Sequence, residues 1–322
     1  MSMSRAELQD AASRAFGDAN LAPDAEQSWQ LIADMGWLMM TVPEPLGGLG
    51  LGVEATGVIH SELGRALVPG PVIAQMLVIE ALAAADQLAE RDDLIARAMG
   101  GEVMTASLGG SGAFACIPDA DRATHLLTID ANLIALVPLE GAKMTPRETW
   151  DKTRRLFDVV LARDAVRFAI AEGDAAAALA SRLDTQRHFA LAGDSLGGTA
   201  AILALTIDYL KTRRQFDRPL ALFQALKHRV ADLKTEHAAA EALFWSRATG
   251  NAHAIDMAAL KALATTTYRT VTEEAVQLHG GIGLTMEHHC HLFLKRALLN
   301  CALGGDADHW EETAGRHVLA TA

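Results

Sequence analysis

Aromatic residues make up only 5% of the 322 residues, with two tyrosines and five tryptophans. Strands favour aromatic and β-branched side chains, whereas Ala and Leu lose little on entering a helix, so an Ala- and Leu-rich chain with 50% hydrophobic content points to mainly α structure. Cysteine is equally sparse. Cys116, Cys290 and Cys301 form no CxxC pair and no even-numbered framework, which argues against a structural zinc site or a disulfide scaffold. Cations are outnumbered, 28 Lys and Arg against 40 Asp and Glu, for a net charge of −12. That deficit argues against a nucleic-acid partner, whose phosphates need clustered positive charge. The N-terminal MSMSRAELQD has no apolar core of the signal-peptide kind, and no uninterrupted apolar run reaches the roughly 18 residues of a membrane helix. The expectation is a cytoplasmic protein with no membrane partner.

What is present divides into three parts. Residues 1–100 carry helical periodicity, interrupted at Val42-Pro43-Glu44-Pro45 and at a glycine-rich loop, Gly47 to Gly52, with later helices expected from Glu54 to Leu67 and over 72–98. Residues 101–165 hold short apolar runs, His125 to Asp130, Leu133 to Leu139 and Arg154 to Ala162, whose lengths predict a small β domain of four or five strands. Residues 166–322 return to helical spacing. Leu196, Leu203, Ile207 and Leu210 share one face, and Leu222, Leu226, Val230 and Leu233 share another beyond Asp217-Arg218-Pro219. Further helices are expected from about 255 to 278 and from about 286 to 303, each ending at a Gly-Gly pair, which predicts a four-helix bundle.

Three segments invite chemistry. Gly280-Gly281-Ile282-Gly283 follows a helix rather than a strand, so it is not a Rossmann turn; its glycines suit a helix cap, or backbone N–H groups around a pyrophosphate. Arg213-Arg214-Gln215-Phe216-Asp217-Arg218-Pro219 is a solvated connection or a guanidinium fork for phosphate. His288, His289, Cys290 and His291 cannot all face one ion, because neighbours on a helix point different ways, so no metal site is expected.

Taken together, three ordered segments make the chain resemble the acyl-CoA dehydrogenase family of flavoproteins over nearly its whole length. They are Gly36 to Pro71, with VPEPLGGLGLG and ELGRALVPGP; Thr212 to Leu233, TRRQFDRPLALFQALKHRVADL; and Gln277 to Ala297, QLHGGIGLTMEHHCHLFLKRA. The resemblance implies an N-terminal helical domain, a short middle β domain and a C-terminal four-helix bundle. It also implies α,β-desaturation of an acyl-CoA thioester, in which a carboxylate takes the α-proton and hydride passes to FAD. Such a step needs a base of tuned pKa, donors on the thioester oxygen and the flavin itself.

Against that pattern the chain departs at the base. The family's usual Glu falls at Gly304 here, its alternative at Arg187, and neither is a carboxylate. Asp306 and Asp194 remain as candidates for a non-standard base. The segment that seats the flavin ring in the family reads Thr105-Ala106-Ser107-Leu108-Gly109-Gly110, and no Trp lies between Trp37 and Trp150. The residues that in the family reach a neighbour's FAD diphosphate are matched by Arg213, Gln215, Phe216, Gln224, Gln277, Gly280 and Gly281. The resemblance therefore implies a non-catalytic subunit that shares FAD with a catalytic acyl-CoA dehydrogenase homologue, the acyl-CoA being the substrate of the complex and an electron-transfer flavoprotein its acceptor. The family includes such pairs in bacterial steroid side-chain degradation, which suggests a bulky CoA ester. A self-sufficient dehydrogenase and a flavin-free scaffold or acyl-CoA-binding protein are the alternatives.

Overall fold

The structure, a computed structural model, describes residues 4–17, 21–109, 114–248 and 253–321. Its first helix, α1 (Arg5–Phe16), opens with a capping box: Glu7 N–H donates to the Ser4 hydroxyl and the Ser4 N–H to the Glu7 carboxylate. Then come α2 (Ala25–Asp34), α3 (Val53–Arg65), α4 (Val72–Ala83) and α5 (Arg91–Met99). The single helix expected over 72–98 is thus two helices, parted at residues 84–90. Helix α4 is apolar all round because it is buried on nearly all sides. Its one amide, Gln75, donates to Ala98 and Glu102 carbonyls and accepts from Met104 N–H, tying α4 to α5 and to the first strand.

Seven strands follow, more than the four or five expected, and the last lies beyond residue 165. Strands β1 (Met104–Ala106), β3 (His125–Ile129), β4 (Leu133–Pro138) and β7 (Phe168–Glu172) form one sheet in the order β1-β3-β4-β7. Strands β2 (Ile117–Pro118), β6 (Leu156–Val160) and β5 (Lys143–Arg147) form a second.

The remaining helices are α6 (Gly173–Thr212), α7 (Gln224–Arg247), α8 (Ala254–His279), α9 (Cys290–Ala302) and α10 (Ala307–Thr321). Helix α10 adds a fifth helix to the four expected. Forty-residue α6 contains a stretch long and apolar enough to cross a membrane, with mean hydropathy 1.5, but 72% of that stretch is buried within the protein, as befits a central core helix. Helix α3 crosses α6 at backbone contact distance. A Cβ on Gly64 would lie 1.9 Å from the Asp194 carbonyl oxygen and one on Gly197 1.7 Å from that of Ser61, so only glycine permits the approach.

One buried ionic cluster joins all three parts of the chain. Asp194 of α6 meets Arg296 of α9 at 2.9 Å and Arg154 at 2.8 Å, and accepts from Asn300 at 2.7 Å. Arg296 also pairs with Asp151 at 2.7 Å, donates to Thr153, and reaches the Val68 carbonyl at 3.3 Å just past α3. Burial alone would raise the Asp194 pKa, but the two arginines outweigh it and hold the carboxyl below its ordinary value.

Candidate functional site

Two regions at different places on α6 gather the residues that the sequence singles out. The first lies at its C-terminal end. There Arg213 to Pro219 is not an open loop but a two-residue hairpin: β8 (Arg214–Gln215) pairs with β9 (Arg218–Pro219) across Phe216 and Asp217. Both turn residues have positive φ, 52° and 61°, as a type I′ turn demands. Phe216 is 85% exposed at the tip, and Arg218 lies over the Phe223 ring at 3.9 Å. Arg214 is spent on the Asp217 carbonyl at 2.7 Å. Arg213 and Gln215 are exposed, and Arg213 makes no ion pair among the described residues. Gln224, also exposed, is the first residue of α7, where unpaired helix N–H groups favour an anion.

The C-terminal end of α8 meets this hairpin through Tyr209. The Tyr209 hydroxyl donates to the His279 carbonyl at 3.2 Å and its ring stacks on that imidazole, while Arg213 N–H donates to the Tyr209 carbonyl at 2.8 Å. Gln277, Gly280 and Gly281, all exposed, thus share one end of the bundle with Arg213, Gln215, Phe216 and Gln224. A Cβ on Gly281 would meet nothing within 4 Å, so packing inside this chain does not require glycine there. What such a bare backbone accommodates is close approach from outside, and with an uncommitted guanidinium nearby the donor set fits a diphosphate.

The same turn folds His279, His288 and Cys290 to within 4.8 Å of one another. His279 Nδ1 is taken by the Ala275 carbonyl at 2.7 Å, and burial pushes the Cys290 thiol up to about 12.

The second region lies 22 to 26 residues before the hairpin on α6, where the two base positions meet. Gly304 follows α9 with φ +69°, and a Cβ there would stand 3.6 Å from Arg187 Cδ, 3.5 Å from His188 Cδ2 and 3.3 Å from Leu191 Cδ1. Arg187 is 1% exposed and pairs with Asp184 at 2.8 Å, leaving its Nε and Nη2 without hydrogen-bond partners among the described residues. The Gly304 carbonyl accepts from Trp310 Nε1 at 2.8 Å and lies 3.2 Å from His188 Nε2, and Trp310 sets its ring edge against His188. Buried Lys261 donates to the carbonyls of Cys301 and Gly305, and burial lowers its pKa to about 8. Trp310 of α10 therefore closes the position together with Arg187 and His188 of α6 and Lys261 of α8. Neither aspartate substitutes: exposed Asp306 caps α10 by accepting from His309 N–H at 2.9 Å, and Asp194 is locked between two arginines. The roles of His188, Lys261 and Trp310 have no sequence signal, since they depend on contacts of His188 with Gly304 and Trp310 and of Lys261 with Cys301 and Gly305, 40 to 122 positions apart.

Gly304→Glu is expected to destabilise the chain by about 1–3 kcal/mol, from a left-handed non-glycine residue in a tight site, and to create no dehydrogenase activity. Urea unfolding with an acyl-CoA assay checks both; a stable, active variant would refute the closure.

His60 and His188 are buried and neutral, burial depressing their pKa values to about 4 and about 3. Unfolded histidine titrates near 6.5, so the unfolded state takes up protons first and stability falls as pH drops below that value. The expected loss is about 1 kcal/mol per histidine by pH 5.5, read as a falling urea midpoint between pH 7.5 and 5.5.

Comparison with known proteins agrees with this architecture. Residues 3–102 match the model of the acyl-CoA dehydrogenase N-terminal domain and residues 173–319 that of the C-terminal domain. Acyl-CoA dehydrogenase IpdE2 of Mycobacterium tuberculosis is 34% identical over 284 residues, covering 84% of this chain and 80% of the relative. The solved Tcur3481-Tcur3483 steroid acyl-CoA dehydrogenase, a G363A variant, superposes with a TM-score of 0.86 at 25% identity, covering 98% of each chain. The ChsE4-ChsE5 complex from Mycobacterium tuberculosis gives 0.88 at 22% identity, covering 99% of this chain and 98% of that one, a likeness of fold.

Proposed function

We propose a role for this chain from one premise: it belongs to the acyl-CoA dehydrogenase family. The role is that of a cytoplasmic, non-catalytic subunit that completes the FAD site of a catalytic homologue. The observation that carries it is an asymmetry. The side chains of Arg213, Gln215, Gln224 and Gln277 are exposed and make no hydrogen bond among the described residues, with Gly280 and Gly281 open beside them at one end of the bundle, while Gly304 and Arg187 close the base position. The hydroxyls where the family seats the flavin ring are likewise committed internally: Thr105 donates to the Pro118 carbonyl at 2.7 Å and Ser107 to that of Ala115 at 2.9 Å. Gly110, the end of that segment, lies outside the described residues.

FAD, when bound, supplies the hydride acceptor. This chain's part is to hold the diphosphate with Arg213 and the amides of Gln215, Gln224 and Gln277. The likeness to a steroid acyl-CoA dehydrogenase favours a bulky CoA ester as the complex's substrate, with an electron-transfer flavoprotein as its acceptor.

The test is the flavin-to-chain ratio of the complex purified with its partner. One flavin per two unlike chains is expected; two per pair would mean that this subunit seats its own ring, and none would leave a scaffold. Within the complex, Arg213→Ala should weaken flavin retention roughly ten- to a hundredfold, the worth of one charge-assisted contact. Its own unfolding should not change, because the side chain is exposed. Unaltered flavin affinity would remove Arg213 from the site.

A further inference from the structure

The turn between α8 and α9 brings together three ligating side chains that no single run of the sequence holds. His288 to His291 cannot converge on one ion, but the chain doubles back between the two helices, and His279, eleven positions before Cys290, adds a side chain from the other arm of the turn. One ligating atom from each of His279, His288 and Cys290 lies within 4.8 Å of the other two. The His279 and His288 rings stand 4.3 Å apart, and Cys290 Sγ is 3.3 Å from His279 Nδ1.

Each group is in a state that suits a metal. His279 is 3% exposed, and its Nδ1 donates to the Ala275 carbonyl at 2.7 Å. That bond fixes the tautomer and leaves Nε2 as a lone pair, buried with no hydrogen-bond partner among the described residues. A ligating histidine ordinarily has its second nitrogen anchored in this way on a carbonyl or carboxylate. The Tyr209 ring, stacked on the imidazole at 4.3 Å, holds its plane. His288 is half-buried, and among the described residues it is hydrogen-bonded only through Nδ1, which accepts from Cys290 N–H at 3.3 Å, so it can turn toward an ion without stranding a buried group. Burial lowers the pKa of both histidines, which keeps them neutral at pH 7. The helix ends match as well. His279 closes α8, where the last carbonyls favour a cation, and Cys290 opens α9, where the first N–H groups favour a thiolate.

We propose that His279, His288 and Cys290 form a zinc site that clasps the end of α8 to the start of α9, with His279 Nε2, one His288 nitrogen and the Cys290 thiolate as ligands and solvent in the fourth position. Two imidazoles and a thiolate are a zinc donor set, and Zn–N of about 2.0 Å with Zn–S of about 2.3 Å puts tetrahedral ligands roughly 3.5 Å apart. The three side chains therefore draw in by about 1 Å to close on the ion. Binding exchanges a proton for the metal: Cys290 Sγ gives its electron pair to Zn²⁺, the thiol proton passes to solvent, and the site keeps a single net positive charge. A coordinated thiol is deprotonated outright, which overcomes the rise that burial gives Cys290. The site uses this chain's residues alone and does not rest on the shared-flavin role.

The test is titration of the full, reduced chain with Zn²⁺ against a chromophoric chelator, and with Co²⁺ as a spectroscopic substitute. One zinc per chain is expected to leave the chelator, and Co²⁺ should give a thiolate-to-cobalt charge-transfer band in the near ultraviolet. Cys290→Ala should erase that band. Cys290→Ala and His288→Ala should each weaken zinc binding by more than the roughly tenfold that losing an outer-shell partner costs. His289→Ala, an exposed neighbour outside the cluster, should bind as the parent does. Circular dichroism reports whether each variant is folded. His288→Ala removes only a half-buried ring and the cobalt spectrum needs no variant, so the outcome stands even where Cys290→Ala fails to fold. The proposal is overturned if the chelator keeps the zinc, if cobalt gives no thiolate band, or if folded Cys290→Ala and His288→Ala bind as the parent does. Loss of binding in His289→Ala would also overturn it, placing the ion on surface histidines instead.

Discussion

Purified alone and offered a range of acyl-CoA thioesters with an artificial electron acceptor, the chain is expected to turn over none of them. Removing the α-proton requires a base within hydrogen-bond reach, and losing such a group costs about 10²–10⁴ in rate. Gly304 has no side chain and its positive φ resists one. Arg187 is a buried cation paired with Asp184. Asp306 is spent as the cap of α10, and Asp194 is buried between Arg154 and Arg296. His188 stays neutral, but its Nε2 faces the Gly304 carbonyl and its ring packs on Trp310. Activity should return when the chain is co-purified with a homologue carrying an intact base Glu, and should vanish when that Glu of the homologue is changed to Gln. Steady turnover by this chain alone would refute the prediction, and its loss in Asp306→Asn would identify the base.

Much of this is legible in the sequence. The bundle helices announce themselves through Leu196, Leu203 and Leu210 and through the Gly-Gly stops, because apolar spacing and glycine act locally. The hairpin at Arg213 was harder: its turn residues, Phe216 and Asp217, are not the Asn-Gly that marks a type I′ turn. The split between α4 and α5 was missed because residues 84–90, Ala-Ala-Asp-Gln-Leu-Ala-Glu, contain neither Gly nor Pro. Helix α10 has little signal in the sequence because it is mostly exposed and carries no strong apolar stripe, with Asp306 as its start signal. The closure of the base position brings His188 of α6 and Lys261 of α8 to the segment from Cys301 to Trp310, and no local pattern encodes contacts of that sequence separation.

The same holds for the ionic cluster, where the largest loss of stability is expected. Asp194→Ala should destabilise the fold by about 3–5 kcal/mol, the usual result of stranding a buried charge. Removing the carboxylate leaves Arg154 and Arg296, both buried, with Asp151 as the remaining counter-ion, and it deprives Asn300 of an acceptor. Because the cluster joins α6, α9, the turn at Asp151–Arg154 and the Val68 carbonyl, the loss should register as a fall of the whole urea transition. An exposed pair supplies the contrast: Glu312→Ala, which frees Arg316 on α10, should stay within about 1 kcal/mol of the parent, since water replaces the partner. The sign with pH follows from the depressed pKa of Asp194. Its contribution is complete above the unfolded value near 3.9 and is lost only as pH falls through the lower folded value. The gap between parent and Asp194→Ala should therefore be constant from pH 5 to 8 and narrow in strong acid. A gap under about 1 kcal/mol at pH 7 would mean that the arginines find other partners and that the cluster does not hold the three parts together.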